Sequence, residues 1–370
     1  MPGPVTDLIA EPAQQLISVE RSSALSCFHS LLMLVHTDKY SGLGEWVYET
    51  EAALTDEERE RHILVMIGLH YASRPQQAWS SFPAFVDHLE ALPAPELRDR
   101  ILRKYHSLPT LKDGEAKAPF NAEAILRSEE DYMAYLAQRF PETVVQNPIE
   151  QQAYRYLIDP PALQALVTSH LKSMWDRFLA KEWEENATVE NASVEAFRKV
   201  DYTSMSKEDA LTFFSGQPVD PDRWACMLRD AARLVFVPSI HIGPYLGYLE
   251  TKSALYIFFG ARSPQGFLNA DHHLSHAELL VRLRALADDN RLHILKMLAQ
   301  VQELKSQDII ERLDLSQSAA SRHLQQLSAT GFLTERRCEG AKCYQFNPDR
   351  MEDTLEALRS YLLKGSGGPA

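Results

Sequence analysis

Two short amphipathic segments near the end of this 370-residue chain, joined by three residues, constrain its fold more than any other feature. Apolar residues recur at helical spacing in both segments: Ile309, Ile310 and Leu313 in the first, and Ala320, Leu324 and Leu327 in the second. The connection Asp314-Leu315-Ser316 suits a tight turn, and Ser316 is a natural N-cap for a helix over 317–329. Two short helices joined in this way predict a helix-turn-helix.

The residues that flank this pair predict a winged helix-turn-helix domain over 272–364. Ser275 and Glu278 have the spacing of a capping box, which begins an earlier helix. After the second helix of the pair, two strands are predicted within 332–346, and the short segment between them closes a hairpin. That hairpin is the expected wing.

The side of helix 317–329 that faces away from its apolar residues is polar and carries no acidic residue. Its members are Gln317, Ser318, Ser321, Arg322, His323 and Gln325. Because glutamine pairs with adenine, arginine with guanine, and serine with a base edge or phosphate, this surface suits double-stranded DNA. On the wing, contact with the flanking phosphates is expected from Arg336, Arg337 and Lys342. Two interpretations of His323 stay open, phosphate contact and internal packing. A role of the whole surface in protein contacts alone also stays open.

Three stretches of this domain, in the same order, resemble the ArsR family of winged helix-turn-helix regulators. Residues 284–295 are similar to the family's first-helix signature, 315–327 to its recognition helix and 336–344 to its wing. The resemblance implies a homodimer joined through residues near 275–287 and 349–363. It also implies a near-palindromic operator and, most often, repression that ends when a signal binds.

The sequence departs from this family at its known metal sites. Lys305 and Gln307 stand where founding members have cysteines, and neither side chain replaces a thiolate as a ligand for a soft metal. The last predicted helix, 351–363, has no histidine for the other common zinc site. About 270 residues precede the winged domain, and they resemble only loosely the upstream part of long ArsR-like regulators.

The net charge of the chain, −13, is unevenly distributed. Residues 1–270 carry 25 Lys or Arg and 37 Asp or Glu, whereas residues 271–370 carry 13 and 14. Residues 316–343 include four basic and two acidic residues. Because DNA binding needs a local positive face, contact with DNA is expected only at the C-terminal end.

The first 230 residues are expected to be mostly helical. Thr55 and Glu58 have capping-box spacing, apolar residues from Phe82 to Leu92 line one helix face, and 161–185 has helical periodicity.

Two β-branched or aromatic runs, at 234–238 and 254–259, predict strands, and we expect them to pair antiparallel. The predicted fold class is therefore mainly α with minor β. It comprises a large helical N-terminal domain, 1–268, with a short β element near 232–260, and the C-terminal winged domain.

We expect the N-terminal domain to sense a small-molecule effector or to join subunits. Two alternatives stay open: an enzyme fused to an autoregulatory DNA-binding domain, and a domain that only forms oligomers. The chain has no Walker loop, dinucleotide glycine pattern, nucleophile elbow or HExxH motif, so we predict that it is not an enzyme. Seven aromatic residues either line an effector pocket or pack the core: Trp46, Tyr48, Tyr71, Trp79, Trp175, Trp183 and Trp224.

The location of the protein is also an expectation from the sequence. No apolar run is long enough to cross a bilayer, and the first residues lack the pattern of a secretory signal. Four cysteines do not form a disulfide framework. We therefore expect a reduced, cytoplasmic protein without membrane contact.

Cys338 and Cys343 lie on the two strands of the predicted wing. If strands 332–338 and 343–346 are joined through a Gly340-Ala341 loop, the two cysteines face each other, and a redox pair is sterically feasible. Two reduced cysteines without a role are the alternative. A similar choice, between a metal site and solvated side chains, applies to Asp271, His272, His273 and His276. We predict no metal and no cofactor.

Overall fold

A computed structural model of the protein describes residues 16–111, 119–145, 148–217, 219–264, 274, 276–338 and 340–363. Within these residues the fold is mainly α with minor β, as predicted, with an N-terminal part up to residue 264 and a C-terminal part from residue 274. Three of the predicted metal-ligand residues, Asp271, His272 and His273, and Ser275 of the predicted capping box lie outside the described residues. Among the helices described, none combines the length and apolarity that crossing a membrane requires.

The described N-terminal part forms helices α1 to α15. Helices α1 to α7 are Ser23–Leu34, Glu45–Ala53, Asp56–Ile63, His70–Ser73, Phe82–Ala91, Ala94–Ser107 and Ala122–Ile125. Helices α8 to α15 are Glu129–Ala137, Glu142–Val145, Pro148–Leu157, Pro160–Met174, Ala180–Glu185, Ala187–Arg198, Lys207–Ser215 and Pro221–Asp230. Two π-helical turns, Leu64–Gly68 and Trp175–Leu179, continue α3 and α11.

Local sequence explains where helices begin. At α3, Oγ1 of Thr55 accepts the Glu58 N–H at 3.3 Å, and the Glu58 carboxylate accepts the Thr55 N–H at 3.0 Å. The predicted capping box is therefore confirmed. The predicted helix over 161–185 is also present, as α11 and α12 with a π-helical turn between them.

A four-stranded sheet in the N-terminal part corrects the predicted strand pairing. Its strands are β1 Ile17–Val19, β2 Leu234–Ser239, β3 Gly247–Glu250 and β4 Leu255–Gly260, in the order β1-β2-β4-β3. The two predicted strands, β2 and β4, are parallel, and the antiparallel partner of β4 is the edge strand β3. The antiparallel prediction was wrong because both strands are buried along almost their whole length, a pattern typical of parallel strands covered on both faces.

Side chains on the two faces of this sheet pack in two separate apolar cores. Val235 and Phe258 face the larger core, which the helices up to α11 complete. Phe236 and Phe259 face a second core, where Phe214 of α14 stacks on Phe236 with 3.8 Å between ring centroids. Strand β1 pairs with β2 although the two lie far apart in sequence, so the sheet joins the beginning and the end of the N-terminal part.

The C-terminal part is a winged helix-turn-helix. Its elements are α16 His276–Leu286, α17 Asp289–Ala299, β5 Leu304–Lys305, α18 Ser306–Leu313, α19 Gln317–Ala329, β6 Leu333–Cys338, β7 Ala341–Phe346 and α20 Pro348–Leu363. Oγ of Ser316 accepts the Ala319 N–H at 3.2 Å, so Ser316 caps α19 as predicted. Asp314, with φ 51°, supplies the left-handed residue that ends α18 and begins the turn.

The wing is the hairpin of β6 and β7, with β5 as a third strand beside β7. Cys338 pairs with Ala341, which corrects the predicted register that placed Cys338 opposite Cys343. Arg336 lies opposite Cys343 instead, so the two cysteines are diagonal neighbours on one face. The register differs because Gly340, with φ 80°, takes the second position of the two-residue turn, where a positive φ is needed.

Candidate nucleic-acid interface

Helix α19 separates its apolar and polar residues. Ala320, Leu324 and Leu327 are buried against the rest of the domain. The predicted residues exposed on its other side are Gln317, Ser318, Ser321 and Arg322. The N–H groups of the first turn add a partial positive charge at the same end, which favours phosphate.

Basic residues are exposed on this helix and on the wing beside it. Arg322 and Arg337 have no ion-pair partner among the described residues. Arg336 donates to both carboxylate oxygens of Glu303 at 2.6 Å, which raises the pKa of Arg336, and Lys342 lies 2.6 Å from Glu335. Exposed ion pairs are weak, so DNA phosphates are able to displace these carboxylates.

His323 and Gln325 depart from the predicted exposed surface. The side chain of His323 is 15% exposed, and its Nδ1 lies 3.6 Å from the Asp288 carboxylate, so it points into the domain. Of the two interpretations of His323, the structure favours packing over phosphate contact. Burial lowers the pKa of His323, which therefore adds no positive charge to the surface near pH 7. Gln325 is half-buried and lines a cleft between the two parts of the chain.

The second half of α19 contacts the N-terminal part, which sequence patterns do not reveal. The side chain of Gln326 is 2% exposed and packs on Gly42, where an added Cβ would lie 2.5 Å from Nε2 of Gln326. Nε2 of Gln217 donates to the carbonyl oxygen of Ala329. Residues of both parts line the neighbouring cleft, whose volume is about 510 Å³.

A disulfide joins Cys338 and Cys343 on the wing, with their Cα atoms 6.1 Å apart. The Glu303 carboxylate lies within 4.8 Å of both sulfurs, and this is the one cluster of three potential metal ligands within the described ranges. In the disulfide the sulfurs are not thiolates, so they are not available as metal ligands. Of the predicted histidine cluster, the described member His276 stacks on Tyr361 with 5.1 Å between ring centroids.

A hydrogen-bonded row of Ser30, His241 and Glu182 lies inside the N-terminal part. Nδ1 of His241 is 2.7 Å from Oγ of Ser30, and its Nε2 is 3.0 Å from the Glu182 carboxylate. The order of groups is that of a hydrolase triad, but Ser30 is 4% exposed. Its single hydroxyl proton is donated to the Ser26 carbonyl oxygen at 2.9 Å and not to His241. A substrate cannot reach this hydroxyl in the observed conformation. Sequence patterns do not predict this arrangement, because its three members lie on separate elements.

The predicted aromatic residues divide between cavities and packing. Trp79, Trp175 and Trp183 line one cavity of about 490 Å³, and Tyr71 lines others. Trp224, at 3% exposure, packs in the second core of the N-terminal part and also lines the cleft between the two parts.

The fold and the surface of α19 define a class, the winged helix-turn-helix transcription regulators that bind DNA. The family model described as "Bacterial regulatory protein, arsR family" matches residues 288–335. The transcriptional activator HlyU of Vibrio cholerae is 35% identical over 82 residues, which are 22% of this chain and 75% of HlyU. The arsenical resistance operon repressor of Staphylococcus aureus is 32% identical over 85 residues, which are 23% of this chain and 81% of the repressor. The chain belongs to the arsR family of bacterial regulatory proteins.

A solved structure of reduced HlyU from Vibrio cholerae has 33% sequence identity and a TM-score of 0.19. The match covers 24% of this chain and 90% of the HlyU chain in that structure. The family match falls within the C-terminal part.

Proposed function

We propose that this protein is a homodimeric, sequence-specific repressor that binds a near-palindromic operator through α19 and the wing and is controlled by an effector at its N-terminal part. One observation carries the proposal: the exposed residues at the start of α19 are polar or basic, on a helix whose other side is core. We propose repression because a regulator bound over a promoter would block it without any further contact. The two named relatives are one activator and one repressor.

Exposed apolar side chains support the homodimer. Leu280 of α16 is 39% exposed, and Leu355 and Leu362 of α20 are 54% and 64% exposed. Helices α16 and α20 pack on each other, so these side chains lie on neighbouring elements. A two-fold contact between copies of this helix pair would remove them from water.

We expect Leu355→Lys to weaken dimerisation by about 100-fold or more, because a lysine charge at a buried interface has no partner. Sedimentation of the full chain over a concentration series measures this change. The matched control is Glu356→Lys, an exposed neighbour, which should leave the dimer intact. If both variants sediment like the wild type, the dimer does not form through α20.

The contact between Gly42 and Gln326 supports control by the N-terminal part, because it connects that part directly to the recognition helix. A change in the position of the segment around Gly42 would act directly on the packing of α19, because no other element lies between them. This contact requires the two parts to dock in solution as they do in the structure.

A double-mutant cycle tests that docking. Gly42→Ala should lower the free energy of unfolding by about 1–3 kcal/mol, since it combines a positive φ of 83° with a steric clash against Gln326. The clash component, about 1 kcal/mol, should disappear in the Gln326→Ala background. Gly340→Ala, with φ 80° and no atom within 4 Å of the added Cβ, is the control for backbone strain alone. Full additivity of Gly42→Ala and Gln326→Ala would contradict the docking.

We also propose a redox role for the wing cysteines. Reduction of the Cys338–Cys343 disulfide by a dithiol reagent, with two electrons and two protons, frees both strand ends near the phosphate-contacting residues. We expect the oxidised form to bind operator about 3- to 10-fold more tightly, because less wing motion is lost on binding. Mobility shift after diamide or dithiothreitol measures this. Equal affinities, or the same change in Cys338→Ser, would remove the redox role.

Selection of duplexes from a random-sequence pool by the full chain tests the proposed function. We expect enrichment of an inverted repeat whose half-site centres lie about one helical turn apart. Enrichment of single half-sites would retain sequence recognition and reject the two-fold dimer. No enrichment would reject the proposed function. A reporter promoter that carries the enriched site then distinguishes repression from activation.

A further inference from the structure

Arg74, which follows helix α4 in the N-terminal part, is a half-buried cation that forms no ion pair with any described residue. The nearest negative charge that acts on it is the Glu250 carboxylate. Among the described residues no carboxylate lies within ion-pair distance of its guanidinium, whose Nη2 donates to the carbonyl oxygen of Glu250. The carboxylate of Glu250 itself pairs with Lys104 at 3.4 Å. Nε of Arg74 is buried and has no hydrogen-bond partner. A half-buried charge with an unused buried donor is costly, and an anionic ligand would accept from that donor.

A cavity of about 300 Å³ lies beside this guanidinium. Its walls include His29, His70, Tyr71 and Tyr245. His29 is 2% exposed, and its Nδ1 has no hydrogen-bond partner. Burial lowers the pKa of His29 to about 3 and that of His70 to about 4, so both rings are neutral near pH 7. Nδ1 of His70 donates to the Met66 carbonyl oxygen at 3.1 Å, which leaves its Nε2 as an acceptor. The fixed charges in the cavity wall are therefore two arginines, Arg74 and Arg223, and one carboxylate, Glu250, which leave the wall net positive.

The walls are aromatic on several sides. The guanidinium carbon of Arg74 lies 5.8 Å from the ring centroid of Tyr71, and the rings of Tyr40 and Tyr245 are 4.8 Å apart. Flat aromatic walls beside the Arg74 guanidinium suit a ligand that is itself flat and negatively charged at one end.

We propose that this cavity binds a small planar organic acid, with the carboxylate at Arg74 and the hydrocarbon part between the tyrosine and histidine rings. The role of this acid as the effector rests on the proposed function, whereas its binding does not.

The cavity is connected to the DNA-binding part by shared residues. Tyr40 and Tyr245 line both this cavity and the cleft between the two parts. The hydroxyl of Tyr245 donates to the carbonyl oxygen of Ser41 at 2.7 Å, and the next residue, Gly42, packs on Gln326 of α19. A ligand that moves Tyr40 or Tyr245 therefore changes the contact with the recognition helix.

A second groove, which Arg74 also lines, provides the matched control. Its volume is about 640 Å³, and Arg100 and Arg103 line it. Both already have a carboxylate, since Glu96 lies 3.6 Å from Arg100 and 3.3 Å from Arg103. Arg100 does not line the proposed cavity.

Calorimetric titration of the full-length protein with benzoate, and with benzylamine as the cation of similar shape, tests the proposal. We expect benzoate to bind with a dissociation constant on the order of 0.1–1 mM, and benzylamine to give no binding. Arg74→Gln should weaken benzoate binding by at least about 10-fold, and Arg100→Gln by less than about 2-fold. Arg74→Lys, which keeps the charge, should retain most of the affinity and covers the case in which Arg74→Gln does not fold.

Three results would overturn the proposal: no benzoate binding to the wild type, equal binding of benzoate and benzylamine, or a loss in Arg100→Gln that equals or exceeds the loss in Arg74→Gln. Operator binding without ligand is measured on the same protein samples. Sequence-specific binding together with no benzoate binding would reject the cavity assignment alone. Benzoate binding together with no operator recognition would reject the proposed function alone.

Discussion

Replacement of Arg322 by alanine is expected to weaken operator binding by about 10- to 100-fold per half-site, with little change in the fold. Arg322 is exposed on α19, and no carboxylate pairs with it among the described residues. Its guanidinium is therefore available for two hydrogen bonds to a guanine, an interaction of about 1–3 kcal/mol. Fluorescence anisotropy with the selected operator measures the loss.

The matched variant is Arg337→Ala, another exposed arginine without an ion-pair partner in the described structure. If Arg337 contacts only phosphate, its removal lowers the affinity for operator and for a scrambled duplex by similar factors and reduces the salt slope by about one unit. Arg322→Ala should instead act mainly on the operator. Equal losses on both duplexes for Arg322→Ala would mean that Arg322 does not contact bases.

Phe332→Ala should destabilise the DNA-binding part by about 3–5 kcal/mol, through the lost apolar contacts and the cavity that remains. Phe332 is 0% exposed and packs in the core of this part with Leu327 and Tyr344. Its N–H donates to the Leu327 carbonyl at 3.0 Å, and its carbonyl oxygen accepts the Asn347 N–H at 2.9 Å, so it also anchors the start of the wing. A loss of this size is comparable with the whole stability of a small domain, so operator binding should fall sharply.

Tryptophan fluorescence separates this effect from the rest of the chain, because all five tryptophans lie in the N-terminal part. In urea, the circular dichroism transition of the C-terminal helices should move to lower urea while the tryptophan transition stays in place. Thr334→Ala, at an exposed wing position, should change neither transition. An unchanged circular dichroism transition in Phe332→Ala would contradict the assigned core.

Local rules in the sequence predict the helices and their starts. Thr55 with Glu58 and Ser316 with Ala319 are three residues apart, so the capping interactions depend on nothing distant. Local rules do not predict strand pairing. Strands β2 and β4 run parallel because of the path that the chain takes between them, and no pattern within either strand shows that path. Strand β1 has three residues, too few for a recognisable pattern, and its partner lies at the far end of the N-terminal part.

The exposed surface of α19 could be predicted because helical periodicity alone decides which residues face outward. The packing of His323 toward Asp288 could not, since it depends on how α17 and α19 dock. The contact of Gln326 with Gly42 likewise joins segments that no local pattern relates. Even within the wing, the register of the two cysteines depended on which residue takes the positive φ in a two-residue turn.

Recognition of DNA sequence by α19 and the wing is the function on which the proposed repression and effector control depend. The most direct measurement is the ratio of affinities of the full-length protein for the selected operator and for a scrambled duplex of the same composition, at one salt concentration. We expect a ratio of about 10³ or more, which Arg322→Ala lowers and Arg337→Ala preserves. A ratio near one for the wild type would contradict sequence recognition.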